Sequence, residues 1–204
     1  MPFVAQHIRE ARNHLRRCDP VMREIVQHVG PFTAKTRRDR FGSLAGAIVA
    51  QQISGKAARS IWDRLVASLE PDKLTAESID QRSLEQLRDV GVSRQKGTYL
   101  KDLSVRVLAG EVQLNTLGRK NDDEVIAELT QIKGIGRWTA QMFLIFTLGR
   151  LDVLPVDDLG VRTAIHKAYN LRKLPDAGRI EKIAQPWRPY ASVASWYLWR
   201  SLEN

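Results

Sequence analysis

Apolar residues recur at steps of three and four along most of this chain, and period-two alternation bounded by turns is nearly absent. The pattern predicts an all-α protein, with helices near 3–17, 20–29, 42–51, 54–69, 83–89, 95–109, 122–132, 136–149, 159–170, 177–185 and 189–202. Several starts carry signals. Asn121 followed by Glu124 reads as an N-cap with its capping-box partner, and Ser54 precedes the helix through Ile61, Trp62 and Leu65. Gly30-Pro31 and Gly110 read as stops. No repeat, low-complexity tract or long linker divides the chain, so any division comes from packing. Short helices in this number predict two helical lobes flanking a cleft, the natural place for a ligand. One lobe is expected over about 36–150, including a helix pair joined by a hairpin at 122–149. The other is expected from about 1–35 with 151–204.

Composition narrows the partner. The 204 residues include 32 Lys and Arg against 23 Asp and Glu, a net charge of +9, with 43% hydrophobic and 27% charged content. The charge favours a polyanion, because each phosphate neutralised releases counterions. Cys18 is the only cysteine, which excludes an internal disulfide and any Cys-ligated iron-sulfur cluster. His7, His14, His28 and His166 show no metal spacing. The N-terminus is interrupted by charge every few residues, and the longest apolar run, Leu44 to Ala50, is far too short to span a bilayer. A cytoplasmic protein with no membrane association is expected.

The stretch Leu129 to Ala140, LTQIKGIGRWTA, reads as a helix, a Gly-Ile-Gly hairpin and a second helix. Gly134 and Gly136 flank Ile135 in a connection expected to need φ > 0 or close backbone approach at both glycines. Ile132 and Ile135 should point inward and join the two helices. The N–H groups at the second helix start form a ready phosphate site. Taken alone, G-x-G also suits a plain helix-helix turn. About twenty residues on, Asp157-Asp158 falls where the next helix should begin, suited either to capping it or to acting as a carboxylate in chemistry.

LTQIKGIGRWTA resembles the helix-hairpin-helix of the DNA glycosylase superfamily named for that motif and a trailing Gly/Pro…Asp, present here as Gly149, Pro155 and Asp157-Asp158. Ile48-Val-Ala-Gln-Gln-Ile-Ser54 resembles the helix end before the DNA-intercalating wedge of the 3-methyladenine DNA glycosylase II branch. Trp187-Arg-Pro-Tyr190 with Ser195-Trp-Tyr-Leu-Trp199 resembles that branch's C-terminal helix. The similarity covers roughly residues 40 to 200, and the chain has no room for the extra N-terminal β-rich domain of larger members.

The resemblance implies a monofunctional glycosylase that flips alkylated bases of the 3-methyladenine and 7-methylguanine type out of double-stranded DNA and leaves an abasic site. Strand-cleaving relatives place a nucleophilic lysine just after the hairpin; Trp138 stands there instead. In the branch the catalytic acid lies twenty positions after that tryptophan, which selects Asp158, with Asp157 second. A helix start keeps such a carboxylate ionised, able to stabilise an oxocarbenium sugar. Trp138 is implied in the base pocket, where an indole face attracts a cationic purine by about 0.5 to 2 kcal/mol. Met142 and Trp187 are further pocket candidates. Lys133, Gly134, Ile135, Gly136, Arg137 and Thr139 are implied in phosphate binding, and Gln51 and Gln52 at the wedge.

The family also implies a monovalent Na or K ion held by the carbonyls of Thr130, Ile132 and Ile135. No organic cofactor is expected, and the protein is expected to be a monomer. Arg94 and Lys96 are either phosphate contacts or a solvated face, and Tyr190, Trp196 and Trp199 either core or pocket. Two other functions stay open. A glycosylase for deaminated or oxidised bases would share nearly all these motifs, and a non-catalytic helix-hairpin-helix DNA-binding module would account for the charge and the hairpin.

Overall fold

A computed structural model describes residues 3–203. Among them the regular structure is helical: α1 (Ala5–Cys18), α2 (Pro20–Val29), α3 (Arg40–Ala50), α4 (Gly55–Ala67), α5 (Ala76–Asp80), α6 (Leu84–Asp89), α7 (Arg94–Leu108), α8 (Asp122–Leu129), α9 (Arg137–Phe146), α10 (Leu159–Ala168), α11 (Ala177–Ala184) and α12 (Ala191–Arg200). The chain divides into two compact units. A central unit is continuous, 37–143, and a terminal unit combines the chain before residue 37 with the chain after residue 143.

In the central unit α7 is the spine, with α3, α5 and α6 packed on it and α4 beside α3. Leu44, Ile48, Leu65, Leu100, Leu103 and Leu129 are almost fully buried, each worth about 1.5 to 3 kcal/mol of transfer free energy. Helix starts are marked by side chains that bind their own first turn: Asp39 accepts from Gly42 N–H, Ser54 from Ala57, and Asn121 from Glu124, whose carboxylate answers to the Asn121 N–H. The Ser54 cap and the Asn121–Glu124 box stand as the sequence predicts.

The terminal unit packs α1 against α2, and α12 against α1, α2 and α10, around Leu15, Met22, Ile165, Trp187 and Tyr197. Its polar keystone is Asp19 at the start of α2. Oδ1 accepts the N–H groups of Val21 and Met22, and Oδ2 accepts Tyr169 Oη–H and Trp187 Nε1–H. Four donors satisfy a carboxylate that is only 7% exposed. Burial, reinforced by that negative charge, pushes the Tyr169 phenol well above its usual range.

Three departures from the sequence pattern have physical causes. α5 lies outside the predicted set, because five residues are too few to show a period; its signal is local, a reciprocal Thr75–Ser78 capping box. α8 stops at Leu129 and α9 at Phe146, short of the predicted 132 and 149. Ile132 and Leu148 are buried by turns that follow those helices, so burial outlasts the helix. Short 3-10 turns also occupy Leu117–Arg119 and Gln185–Trp187.

Candidate functional site

The hairpin between α8 and α9 is built from backbone outward. Ile132 N–H binds Leu129 O at 3.2 Å, and Ile135 N–H binds Ile132 O at 3.0 Å. Ile132 and Ile135 are 1% and 3% exposed, closing the turn from inside as expected. Gly134 has φ +81°, and a Cβ there would overlap the Tyr99 ring, so glycine is required twice over. Its carbonyl accepts Gln51 Nε2–H at 2.7 Å. From α7, Asp102 Oδ2 accepts the Lys133 N–H at 2.9 Å and Arg106 Nε–H at 3.0 Å, while Lys133 Nζ lies 3.7 Å from Oδ1. Partial burial raises the Asp102 pKa, but the Lys133 N–H and the Arg106 guanidinium outweigh it and hold the carboxyl below its ordinary value.

Gly136 differs from expectation. A Cβ there would meet nothing within 4 Å, and its φ is not positive, so neither crowding nor conformation demands glycine. Its carbonyl accepts the Ala140 N–H at 3.0 Å, which puts it at the N-cap of α9. At α3, α4, α7 and α8 the N-cap side chain occupies the first-turn donors. Glycine has no side chain to do so, so the N-cap residue of α9 supplies no side-chain acceptor to its first turn.

On α9, Trp138 is 50% exposed, and half-buried Met142 lies one turn later on the same face. Arg137 is exposed. Thr139 and Ile135 are buried, so each offers a ligand its backbone rather than its side chain. At the end of α3, exposed Gln52 has φ +56°, the left-handed region that a residue with a long side chain rarely occupies. Lys96 is half-buried: Nζ–H binds Val49 O at 2.8 Å at the C-terminus of α3, and burial lowers its pKa.

In the terminal unit, Asp158 is the N-cap of α10. Its Oδ1 accepts the Val161 N–H at 2.7 Å and Trp199 Nε1–H at 2.7 Å, and the residue is 9% exposed. Asp157 is exposed. Of the two aspartates, Asp158 is therefore the one that caps the helix. Trp199 stacks obliquely on Phe146 at 5.8 Å. A Cβ on Gly160 would lie 2.8 Å from Trp199 Cδ1 and 3.1 Å from Asp158 Oδ1, so the glycine makes room for the indole.

Comparison with known proteins supplies the family. Residues 45–189 match the HhH-GPD superfamily of base excision DNA repair proteins. The chain belongs to this superfamily. It is 32% identical to DNA-3-methyladenine glycosylase 1 of Schizosaccharomyces pombe over 97% of this chain and 89% of that protein. A solved S. pombe 3-methyladenine DNA glycosylase in complex with abasic DNA superposes with a TM-score of 0.85 at 32% identity, covering 96% of this chain and 97% of that one. DNA-3-methyladenine glycosidase from Bacillus halodurans gives 0.82 at 34% identity, covering 93% and 87%.

The hairpin glycines and Trp138 lie at the junction of α8 and α9 and the paired aspartates at the start of α10, and the expectation for Trp187 fails. Trp187 is fully buried in the core of the terminal unit with its N–H committed to Asp19, so it offers no surface to a base. Trp196 is likewise core, 7% exposed against Phe32 and Tyr197. The sequence pattern does not single out Gly160, Tyr99 or Asp102, and it leaves Trp199 open between core and pocket. Gly160 carries a signal, a glycine at the second position of a helix right after the acid pair. The carbonyls of Thr130, Ile132 and Ile135 are neutral oxygen donors, and Ile132 O already accepts one N–H. That donor set suits a hard monovalent cation better than a soft metal. Among the described residues no cluster of His, Cys, Asp and Glu forms a metal site, and no helix is long and apolar enough to cross a membrane.

Proposed function

We propose that this protein is a monofunctional DNA glycosylase that hydrolyses the N-glycosidic bond of alkylated bases of the 3-methyladenine and 7-methylguanine type, acting as a monomer on damaged duplex DNA. The observation that carries the reading is Asp158: a nearly buried carboxylate at a helix N-terminus, fixed by Val161 N–H and Trp199 Nε1–H, in a chain whose relatives are named for this activity.

The N-terminus of α9, with Lys133 and Arg137, grips the phosphate backbone. A Na or K ion held by the carbonyls of Thr130, Ile132 and Ile135 would add a positive charge beside that phosphate. Gln52 fills the space of the extruded nucleotide, and Gln51 ties its loop to the hairpin. Trp138 offers an exposed indole face to the cationic base. The positive base is already a good leaving group: the C1′–N bond breaks with its electron pair going to the base, water adds to C1′, and its proton passes to solvent. Asp158 stabilises the charge on the sugar and orients that water. No residue at the Trp138 position supplies an amine, so the backbone stays intact.

The experiment is base release from methylated duplex by wild type and Asp158→Asn. Asn caps a helix as well as Asp, so the variant should fold and bind abasic-site duplex while releasing base about a hundredfold or more slowly. Preferential release of hypoxanthine or 8-oxoguanine would assign a different lesion class. Duplex binding with no base release would leave a binding module.

A further inference from the structure

The α1–α2 corner of the terminal unit carries a cavity of about 340 Å³ lined by Asn13, Arg16, Arg17 and Arg23, with no carboxylate in its lining. All four residues are exposed, and Asn13, Arg16 and Arg17 lie three and four positions apart on one face of α1. Arg23 Nε–H binds Arg16 O at 2.8 Å, which draws its guanidinium back across the corner toward the other two. Among the described residues none of the three arginines has an ion-pair partner. Of the acids close in sequence, Asp19 is enclosed by its four donors, Glu10 accepts Gln6 Nε2–H, and exposed Glu24 forms no ion pair with the three arginines.

Helix electrostatics account for part of the cluster only. Arg16 and Arg17 sit in the last turn of α1, where a cation is favourable. Arg23 ends the first turn of α2, the positive end of that helix, where a cation is unfavourable. Three guanidiniums held together repel one another, and among the described residues no ion pair offsets the repulsion. The forked donors of arginine, with a neutral amide beside them, match phosphate oxygens.

We infer that the Asn13–Arg16–Arg17–Arg23 corner is a phosphate-binding site that takes a backbone phosphate of DNA, a contact additional to the hairpin and wedge. The inference rests on the nucleic-acid reading above for its choice of phosphate source; the site itself rests on the cluster.

The test is the triple variant Arg16→Gln, Arg17→Gln, Arg23→Gln in the full chain, with undamaged duplex as probe. The slope of log affinity against log salt should shrink by about 1 to 2, close to one for each phosphate no longer neutralised. The thermal midpoint should hold or rise, because repulsion is relieved. Base release from a saturating lesion-bearing duplex should not change, and since that assay reads the proposed reaction separately, failure of one is distinguishable from failure of the other. A lowered midpoint would make the cluster structural and overturn the inference. An unchanged slope would overturn the DNA contact. If inorganic pyrophosphate binding is then abolished in the variant, the site serves a small phosphorylated ligand; if that binding is also unaltered, there is no site.

Discussion

Trp199 Nε1 donates to Asp158 Oδ1 at 2.7 Å, and the same oxygen accepts the Val161 N–H. An aromatic residue near the end of α12 thereby fixes the orientation of a carboxylate at the start of α10, across a glycine that must stay bare. Trp199→Phe keeps the ring and loses the donor. A hydrogen bond to a charged group contributes about 1.5 to 3 kcal/mol, so base release in single turnover should slow roughly tenfold or more. Gly160→Ala should slow it too, although Ala favours a helix by about 1 kcal/mol over Gly. The two effects should be less than additive, because both act through one hydrogen bond. Unaltered single-turnover rates in both variants would reduce the bond to a structural role.

Gly136→Ser tests why the α9 N-cap lacks a side chain. Serine fits the open space and should bind the first-turn N–H groups, leaving thermal stability equal or slightly higher. Duplex affinity should fall, because the new hydroxyl competes with phosphate for the same donors. Equal affinity would show that those N–H groups are not the phosphate site.

Gln52 holds a left-handed backbone at a cost of about 1 kcal/mol. Gln52→Gly should therefore raise the melting temperature by about 2 °C while lowering base release, opposite signs from one substitution. A variant that is stabilised with unchanged release would remove Gln52 from the wedge role.

Acid should loosen the hairpin through Asp102. Its folded-state pKa lies below the ordinary value of 3.8, so the stability it contributes is present above that value and is lost as pH falls through the lower folded value. Hydrogen exchange at Lys133 and the neighbouring hairpin amides should accelerate over that window in wild type. Asp102→Asn should remove the pH dependence, with hairpin exchange already fast at neutral pH. A hairpin equally protected at both ends of the window would exclude Asp102 as its anchor.

Much of the fold is legible in the sequence because long helices repeat their burial every three or four residues, and caps such as Ser54 and Asn121 mark their starts in one or two letters. The hairpin is legible from a local motif, and the aspartate pair from its place at a helix start. What local pattern does not carry is a contact between distant positions. Tyr99 under Gly134, Trp199 on Asp158 and Trp187 on Asp19 each join residues far apart in the chain. Nothing in the letters around a tryptophan says whether its N–H meets a structural carboxylate or one suited to chemistry. Gly136 shows the reverse: its letter marks the position as special, but no crowding around it requires glycine.

The Asp19 keystone also bears on the order of assembly. Its donors on α2 leave the ribosome early, while Tyr169 and Trp187 follow only after the whole of 37–143. The central unit is continuous and has what it needs to close as soon as it has emerged. The terminal unit must wait, with α1 and α2 holding exposed apolar faces, until the last third of the chain arrives and the long intervening loop is closed at its entropic cost. During synthesis those two N-terminal helices are the segment most in need of protection, and truncation near the C-terminus should unfold the beginning of the protein rather than its middle.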